Sequence, residues 1–316
     1  MKSIYIHCPL LPADSYHAVL EKLCLPPVRN VTVYTYADRV SEKQLDAFIE
    51  AQKAFGLAHP VRFRNILVLT GIPRFSWAVR RLLLKNNFFL RLQVLPEQAK
   101  KLIKPVARLN KKGIQTQLWV DENQDQQALY RHFSSLGLSI NLDRPRYDAG
   151  TADWFSRWLY DPNAQGINTF CDIISLLTLD VHSPNCRYAS CFGTTFRVDE
   201  QLQVYLCPHH MDERTCLGTL TERDRLLQGE NLVQLLTGAI QKRNHCSSHC
   251  DGFAVCQGGC PLEPEAGDEC CHYIATVNRI REALLDVYHN GKLGQVNPIV
   301  KNAILNALAF GSAFFN

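Results

Sequence analysis

The distribution of cysteine is the feature that most restricts how this chain can fold. Of its 13 cysteines, all but Cys8 and Cys24 lie between Cys171 and Cys271. In a reducing compartment disulfides are rare, and clustered cysteines are typical of metal sites. The amino-terminal sequence MKSIYIHCPLLPADS shows neither a secretory signal nor a transit peptide, and no long apolar run predicts a membrane-spanning helix. We therefore expect a cytoplasmic protein with a cysteine-ligated metal module from about residue 186 to residue 271.

The composition is that of a globular protein and argues against a nucleic-acid partner. Of the 316 residues, 46% are hydrophobic and 20% are charged, which is typical of a chain with a sizeable core. The formal net charge is only +4, and the basic residues do not cluster on one element. We expect no nucleic-acid or membrane partner.

Strand-like and helix-like segments alternate through the first half of the chain. Runs rich in β-branched and aromatic residues predict strands at Ser3–His7, Val31–Tyr36, Ile66–Leu69, Phe88–Val94, Ile114–Val120 and Leu138–Leu142. Helices are predicted from Ser41, where Gln44 completes a capping box, and at Ser76–Lys85, Glu97–Asn110 and Asp125–Ser135. Such alternation predicts an α/β fold with a parallel sheet. A complete eightfold barrel normally needs about 250 residues, so a partial barrel is expected.

The cysteine spacings divide the metal module into two groups of ligands. The first group is Cys186, Cys191 and Cys207, and the second is Cys246, Cys250, Cys256 and Cys260, with Cys270 and Cys271 following. Each [4Fe–4S] cluster takes four cysteine ligands, so eight thiolates would satisfy two clusters. Gly258 and Gly259 precede Cys260, and glycine allows backbone to approach a bulky cluster closely.

The segments CFGTTFRVDEQLQVYLC, CLGTLTE and CSSHCDGFAVCQGGCP resemble the SPASM domain. That domain is the carboxy-terminal extension of many radical S-adenosylmethionine enzymes, including anaerobic sulfatase-maturating enzymes and peptide maturases. Two details depart from the pattern of the family. Leu202 stands where the first block usually has glycine, and the spacing between Cys246 and Cys250 is one residue longer than usual. Both departures leave the set of ligands intact.

The resemblance implies an interleaved set of cluster ligands. The first cluster would be held by Cys186, Cys191, Cys207 and Cys260. The second would be held by Cys246, Cys250, Cys256 and either Cys270 or Cys271. Cys270 is favoured because Tyr273 then falls where the family often has an aromatic residue. Cys216 matches no ligand position and is interpreted as a spare buried thiol.

Zinc is the alternative metal for these cysteines. Zinc sites combine cysteine and histidine at similar short spacings. Histidines that stand beside the cysteines are His209, His210, His245 and His249. Eight cysteines that match the pattern in order, followed by the Gly-Gly-Cys-Pro sequence, favour iron. The histidines are then interpreted as surface residues or as residues that surround the ligands.

The first half of the chain lacks the motifs of an active radical S-adenosylmethionine barrel. Enzymes of that superfamily carry C-x3-C-x2-C in the loop after the first strand, and no such triplet occurs here. They also carry a Gly-Gly-Glu-Pro turn after the second strand, to which we match the segment Thr70–Pro73 with Ile72 in place of the glutamate. Ile72 has no side-chain acceptor for an ammonium group. We therefore expect a degenerate barrel that binds no S-adenosylmethionine.

These features predict three regions and one leading function. Residues 1–170 form the degenerate barrel, residues 171–290 the SPASM module, and residues 291–316 an amphipathic helical tail. The leading hypothesis is a non-catalytic, electron-transferring or peptide-binding partner of a radical S-adenosylmethionine maturase that modifies a small ribosomal peptide or protein. The tail is a candidate surface for docking that partner.

Two other classes of function stay open. One is a redox enzyme that uses its own clusters, for which titratable residues at strand ends are candidates: His7, Asp121, Glu122, Asp143 and Asp180. The other is a zinc-binding interaction module.

Overall fold

The computed structural model has a mixed α/β fold in which parallel strands alternate with helices. It describes residues 2–24, 27–71, 73–120, 125–179, 194–220, 230–249, 260, 262 and 268–315. The strands among them are β1 (Lys2–Pro9), β2 (Val28–Tyr36), β3 (Arg62–Thr70), β4 (Phe89–Gln93), β5 (Thr116–Val120), β6 (Asn141–Leu142), β7 (Thr195–Val198), β8 (Gln203–Tyr205) and β9 (Cys216–Thr219).

Ten α-helices occur in the same described residues. They are α1 (Ala13–Leu23), α2 (Glu42–Ala58), α3 (Trp77–Lys85), α4 (Ala99–Lys111), α5 (Gln126–Ser134), α6 (Thr151–Leu159), α7 (Asn168–Leu179), α8 (Glu230–His249), α9 (Asp268–His289) and α10 (Pro298–Ala309). All six strands predicted in the first half are present, as are the four helices predicted there. The sequence analysis predicted no helix at α1, α6, α7 or α8, and the predicted boundary at residue 170 falls inside α7.

Side-chain caps start three of the predicted helices at the expected places. The Ser41 hydroxyl accepts a hydrogen bond from the Gln44 backbone N–H at 3.2 Å and donates one to the Gln44 side chain at 2.7 Å. Ser76 accepts from the backbone N–H of Val79 at the start of α3. Asp125 accepts from two backbone N–H groups at the start of α5. These bonds satisfy donors that the first turn of a helix otherwise leaves unpaired.

The chain divides into two compact units. The first comprises residues 1–93, 101–117 and 191–241, and the second comprises residues 94–100, 118–190 and 242–316. In the first unit the strands lie in the order β5-β4-β3-β2-β1-β7-β8-β9. Of β5, only Thr116 and Gln117 belong to this unit. In the second unit the end of β5 pairs in parallel with β6, where Trp119 faces Asn141 and Val120 faces Leu142.

Strands β1 to β4 form a continuous parallel ladder. Ser3 is paired with Asn30 and Pro9 with Tyr36 across β1 and β2. The same parallel pairing continues from β2 to β3 and from β3 to β4. On its other side, β1 pairs in parallel with β7, placing His7 beside Arg197. Side chains alternate between the two faces of each strand, so this register determines which residues share a face.

One face of this ladder carries the core of the first unit. Four side chains on this face, one from each of the strands β1 to β4, are fully buried: Ile6, Val33, Leu67 and Leu90. Helices α1 and α2 cover this face, as shown by a buried hydrogen-bond network across three elements. The side chain of Gln52 in α2 donates to the Tyr16 hydroxyl of α1 at 2.9 Å and to the side-chain oxygen of Asn65 in β3 at 2.7 Å. Asn65 donates back to Gln52 at 2.8 Å.

Strands β7, β8 and β9 form an antiparallel meander at the side of β1. Arg197 pairs with Tyr205, and Tyr205 pairs with Cys216. The turn from β7 to β8 is closed by Asp199, whose carboxylate accepts from the backbone N–H groups of Gln201 and Gln203. The last residue of this turn, Leu202, has a φ of +61°. This is the left-handed conformation that favours glycine, and glycine is what the SPASM pattern has at this position.

The second unit is mainly helical. Helix α9 extends further than the predicted Ile274–Tyr288, and Val277, Ile280 and Leu284 of its apolar face are fully buried. Helix α10 begins after Asn297, whose side chain accepts from the Val300 backbone N–H and donates to the Trp158 carbonyl at the end of α6. None of the helices in the described ranges is both long enough and apolar enough to cross a membrane.

Candidate functional site: the polar face of the parallel sheet and the cysteine module

The connection after β1 is very short. Strand β1 ends at Pro9 and α1 begins at Ala13, which leaves only residues 10–12, with the sequence LLP, between them. A C-x3-C-x2-C motif occupies eight residues, so this connection has no room for one. Cys8 precedes the connection but lies within β1 on the helix-covered face, where it is fully buried.

The segment matched to the family's Gly-Gly-Glu-Pro turn begins at Thr70, the last residue of β3, which is the third strand of the chain. That match stays a prediction. Gly71 has a φ of +80°, and the Thr70 hydroxyl donates to the carboxylate of Asp38, which follows β2, at 2.9 Å. Ile72 lies outside the described residues.

The face of the sheet opposite the core carries a cluster of rings around His7. The His7 ring stacks on Tyr34 with centroids 4.3 Å apart and planes 8° from parallel. Its Nδ1 atom lies 2.9 Å from the Tyr36 hydroxyl oxygen. The two tyrosines alternate along β2, so both lie on the same face as their neighbour His7. His7 is only 8% exposed.

Two arginines belong to the same cluster. The Arg197 guanidinium of β7 lies over the Tyr36 ring, with Cζ 4.1 Å from the ring centroid. Arg91 of β4 is 7% exposed and is in register with Val68, which is itself in register with Tyr36. Residues in register on parallel strands share a face, so Arg91 lies on the face that carries His7.

The electrostatics of the cluster keep the His7 ring neutral. Burial is the main cause that holds the pKa of His7 well below its ordinary value of 6.5. The positive charges of Arg91, His209 and Arg197 lower this pKa further. Burial raises the pKa of Tyr34, and Arg91 acts against that shift, which again indicates positive potential at this face.

The two cysteines of the first half are buried groups whose thiol form is favoured. Burial raises the pKa of Cys8 to about 12, despite the opposing charge of Arg197. Burial raises the pKa of Cys24 to about 12 as well. The thiolate is the form that binds metal and attacks electrophiles, so both groups remain thiols. They function as small apolar core residues.

The cysteines of the metal module are described only in part. Cys186, Cys191, Cys250 and Cys256 lie outside the described residues. Cys246 lies in α8 and Cys270 in α9, but only their backbone is described. Cys271, next in α9, is exposed. Among the described residues no group of three or more metal-ligating side chains is brought together, so the ligand sets stay a prediction.

Two of the predicted ligands are buried in settings that suit a cluster. Cys207 follows β8 and is 2% exposed, and its sulfur accepts a hydrogen bond from the backbone N–H of His209 at 3.4 Å. Hydrogen bonds of this kind to ligand sulfur tune the potential of iron–sulfur sites. In the second unit Cys260 is 4% exposed, and its carbonyl accepts from Lys242 at 2.8 Å. Cys216, the first residue of β9, is paired with Tyr205 of β8 and is half-buried.

Of the other candidates for a titratable site, only Asp143 belongs to the described residues. Asp121, Glu122 and Asp180 lie outside the described residues. Asp143 follows β6 in the second unit, where its backbone N–H donates to the Val120 carbonyl. His210 and His245 are described, but no metal-ligating group forms around them there, and His249 is described in its backbone alone.

Sequence reasoning found His7 but missed its partners. The alternation in VTVYTY was a signal for Tyr34 and Tyr36, since residues two apart on a strand share a face. No comparable signal existed for Arg91 and Arg197, which approach His7 only because β4 and β7 belong to the same sheet.

Solved structures of the protein anSMEcpe have a similar fold. The native protein with bound AdoMet aligns with a TM-score of 0.64 at 12% sequence identity, covering 90% of this chain and 98% of that chain. The native protein with bound AdoMet and a Kp18Cys peptide aligns with a TM-score of 0.65 at 12% identity, covering 91% of this chain and 99% of that one. The neighbour is a radical SAM maturase of the SPASM/twitch type.

This likeness establishes the fold class. The chain has a radical-SAM-like α/β fold with a parallel sheet and carboxy-terminal helices, as the sequence analysis predicted. At 12% identity the likeness extends to fold alone. No protein-family model matches the chain, and no curated protein matches it.

Proposed function

We propose that this chain is an iron–sulfur protein with a SPASM-type module and a degenerate radical SAM barrel. It acts as a non-catalytic partner in peptide or protein maturation, either passing electrons to or from a radical SAM maturase or holding the peptide. The observation that carries the proposal is the three-residue connection between β1 and α1. In an active barrel the cluster that cleaves S-adenosylmethionine is held there, and this connection has neither the length nor the cysteines for it.

The metal half of the proposal rests on cysteine spacing and on the setting of Cys207 and Cys260. The first cluster is assigned to Cys186, Cys191, Cys207 and Cys260, and the second to Cys246, Cys250, Cys256 and Cys270 or Cys271. Two [4Fe–4S] clusters would supply one-electron transfer. The protein's own contribution at the first is a buried thiolate at Cys207 with a backbone N–H directed at its sulfur. Donor and burial both fit an iron–sulfur ligand.

The partner half rests on the neighbour's ligands and on the surface of α10. Structures of anSMEcpe contain the Kp18Cys and Cp18Cys peptides, which supports a role for this fold in peptide handling. Helix α10 buries Val300, Ile304 and Ala307, while Leu305 remains exposed on it. Phe310, directly after the helix, is 81% exposed. An apolar surface of this kind is a candidate contact for a maturase.

Metal analysis tests the first half of the proposal. Anaerobically purified and reconstituted protein should be brown and contain roughly eight irons per chain. Stoichiometric zinc without iron would refute the iron–sulfur assignment and favour the zinc-binding module.

A cleavage assay tests the second half. Dithionite-reduced protein incubated with S-adenosylmethionine should form no 5′-deoxyadenosine above a control without protein. A radical SAM enzyme with an intact C-x3-C-x2-C motif, treated in parallel, should form it. Turnover by this chain would show that one iron is open to the cosubstrate, and the chain would then be an enzyme in its own right.

A further inference from the structure

We propose that the polar face of the parallel sheet binds an oxyanion, the carboxylate or phosphate group of a small ligand, at the guanidinium group of Arg197, on the face that also carries Arg91. The cluster that forms this site is His7, Tyr34, Tyr36, Arg91 and Arg197. All five residues belong to the first unit. The proposal concerns binding only and does not depend on which metal the cysteine module holds.

The location is the first support for a ligand site. His7 is two residues from the end of β1, Tyr36 is the last residue of β2, and Arg91 is two residues from the end of β4. The carboxyl ends of parallel strands are where ligands bind in α/β sheets, because side chains from several strands converge there. The helix-covered core lies on the opposite face, so the cluster does not belong to the apolar packing.

The charge of the cluster is the second support, and it indicates the chemistry of the ligand. Arg91 and Arg197 both act on His7 as positive charges. Positive charge that is held in a poorly hydrated place raises the affinity for an anion. Guanidinium groups bind carboxylate and phosphate through paired N–H donors, which makes arginine the usual residue for such groups.

The state of Arg197 is the third support. Its Cζ lies 4.1 Å from the centroid of the Tyr36 ring, so the guanidinium group is placed over that ring. Its Nε–H is buried and has no hydrogen-bond partner among the described residues. A buried donor without an acceptor costs free energy. A bound oxyanion would accept the hydrogen bond that this N–H does not make within the protein. The rings of Tyr34 and Tyr36 offer flat surfaces for the uncharged part of the ligand.

The test is calorimetric titration of the anaerobically purified full-length chain with sodium succinate and, separately, with inorganic phosphate. Sodium chloride of matched ionic strength is the reference. The expected result is saturable binding of at least one of the two anions and none of chloride. The tighter of the two identifies the group as carboxylate or phosphate. An absence of saturable binding of both anions would overturn the proposal.

Arg197→Gln is the variant that ties binding to this cluster. It should weaken binding by about tenfold or more, the usual effect of losing a charge-assisted hydrogen-bond donor. Arg81→Gln is the matched control, since the Arg81 guanidinium also lies over a ring, that of Trp77 at 5.5 Å, but on exposed α3. It should bind like the wild type. Equal loss in the two variants, or no loss in Arg197→Gln, would place the anion elsewhere.

A second variant keeps the test decisive if Arg197→Gln does not fold. Arg197→Lys keeps the charge but loses the paired donors, and it should weaken binding severalfold. Unchanged affinity in this variant would contradict the role given to the guanidinium. Zinc in the cysteine module would refute the proposed function but would not change the anion titration. Failure of the proposed function and failure of the anion site are therefore distinguishable.

Discussion

At the scale of single residues, His7 links the fold to pH. Burial and the charges of Arg91, His209 and Arg197 hold its pKa in the folded protein below the ordinary value of 6.5. In the unfolded chain the ring is free of these effects and takes up a proton as the pH falls through about 6.5. The unfolded state then binds more protons than the native state. The contribution of His7 to the free energy of unfolding is therefore complete above that pH and declines below it.

We therefore predict that acidification destabilises the wild type more than a His7→Gln variant. Between pH 7.5 and 5.5 the wild-type free energy of unfolding should fall relative to that of the variant, by at most about 1.4 kcal/mol per pH unit for one group. Anaerobic urea unfolding at three pH values measures this. A constant difference between the two proteins would show that His7 titrates normally in the folded state.

Leu202 gives a second prediction at this scale. At most positions glycine is less stable than alanine by roughly 0.5–1 kcal/mol. Leu202 has a φ of +61°, where a side chain with a Cβ costs about 1–2 kcal/mol. We expect Leu202→Gly to be more stable than Leu202→Ala by up to about 1 kcal/mol in thermal or urea unfolding. If alanine is the more stable, the turn between β7 and β8 does not hold this conformation in solution.

At the scale of elements, one buried polar pair connects the sheet to its helices. The Gln52 and Asn65 side chains exchange hydrogen bonds of 2.7 and 2.8 Å, and Gln52 also donates to the Tyr16 hydroxyl. Both side chains are buried. Burying polar groups is tolerated only when they are paired, so this network determines how α1 and α2 lie on β3.

Replacement of Asn65 by leucine should destabilise the protein by about 1–3 kcal/mol, because Gln52 then keeps a buried amide without its partner. The double variant Gln52→Leu with Asn65→Leu should be less destabilised than the sum of the two single variants. Urea unfolding of the four proteins gives the coupling energy. Additive effects would mean that the two amides act independently.

At the scale of the whole molecule, the proposed interleaving of ligands joins distant parts of the sequence. Cys207, after β8, and Cys260 are assigned to the same cluster, although 53 positions separate them in the sequence. Because ligand binding and folding are coupled, loss of a ligand should affect the cluster it serves and the loops that surround it.

We predict that Cys207→Ala removes about four irons and leaves the second cluster, whereas Cys250→Ala removes the other four. Cys216→Ala is the matched control, since Cys216 lies in β9 beside β8 but matches no ligand position, and it should retain all the iron. Iron analysis and electron paramagnetic resonance separate these outcomes. Loss of the same cluster in both ligand variants would contradict the interleaved assignment.

The sequence by itself determined the fold class and the alternating strands and helices from β2 to β6. The start of α2 followed from the capping box of Ser41 and Gln44, since a cap acts within three residues of itself. The strands followed from β-branched and aromatic runs, and their alternation with helices implied a parallel sheet. Helix α1 was missed because its first turn has no side-chain cap and follows Pro12.

Only the tertiary structure decided which residues meet. It showed that the turn at Gly71 follows the third strand of the sheet, a position that the local sequence of the turn does not specify. It placed Arg197 over Tyr36, although 160 positions separate them, because β7 pairs with the opposite side of β1 from β2. The two faces of the sheet therefore carry different side chains. Those under the helices are mostly apolar, and those around His7 include positively charged arginines. Contacts between distant segments depend on the pairing of whole strands, which no local pattern of residues specifies.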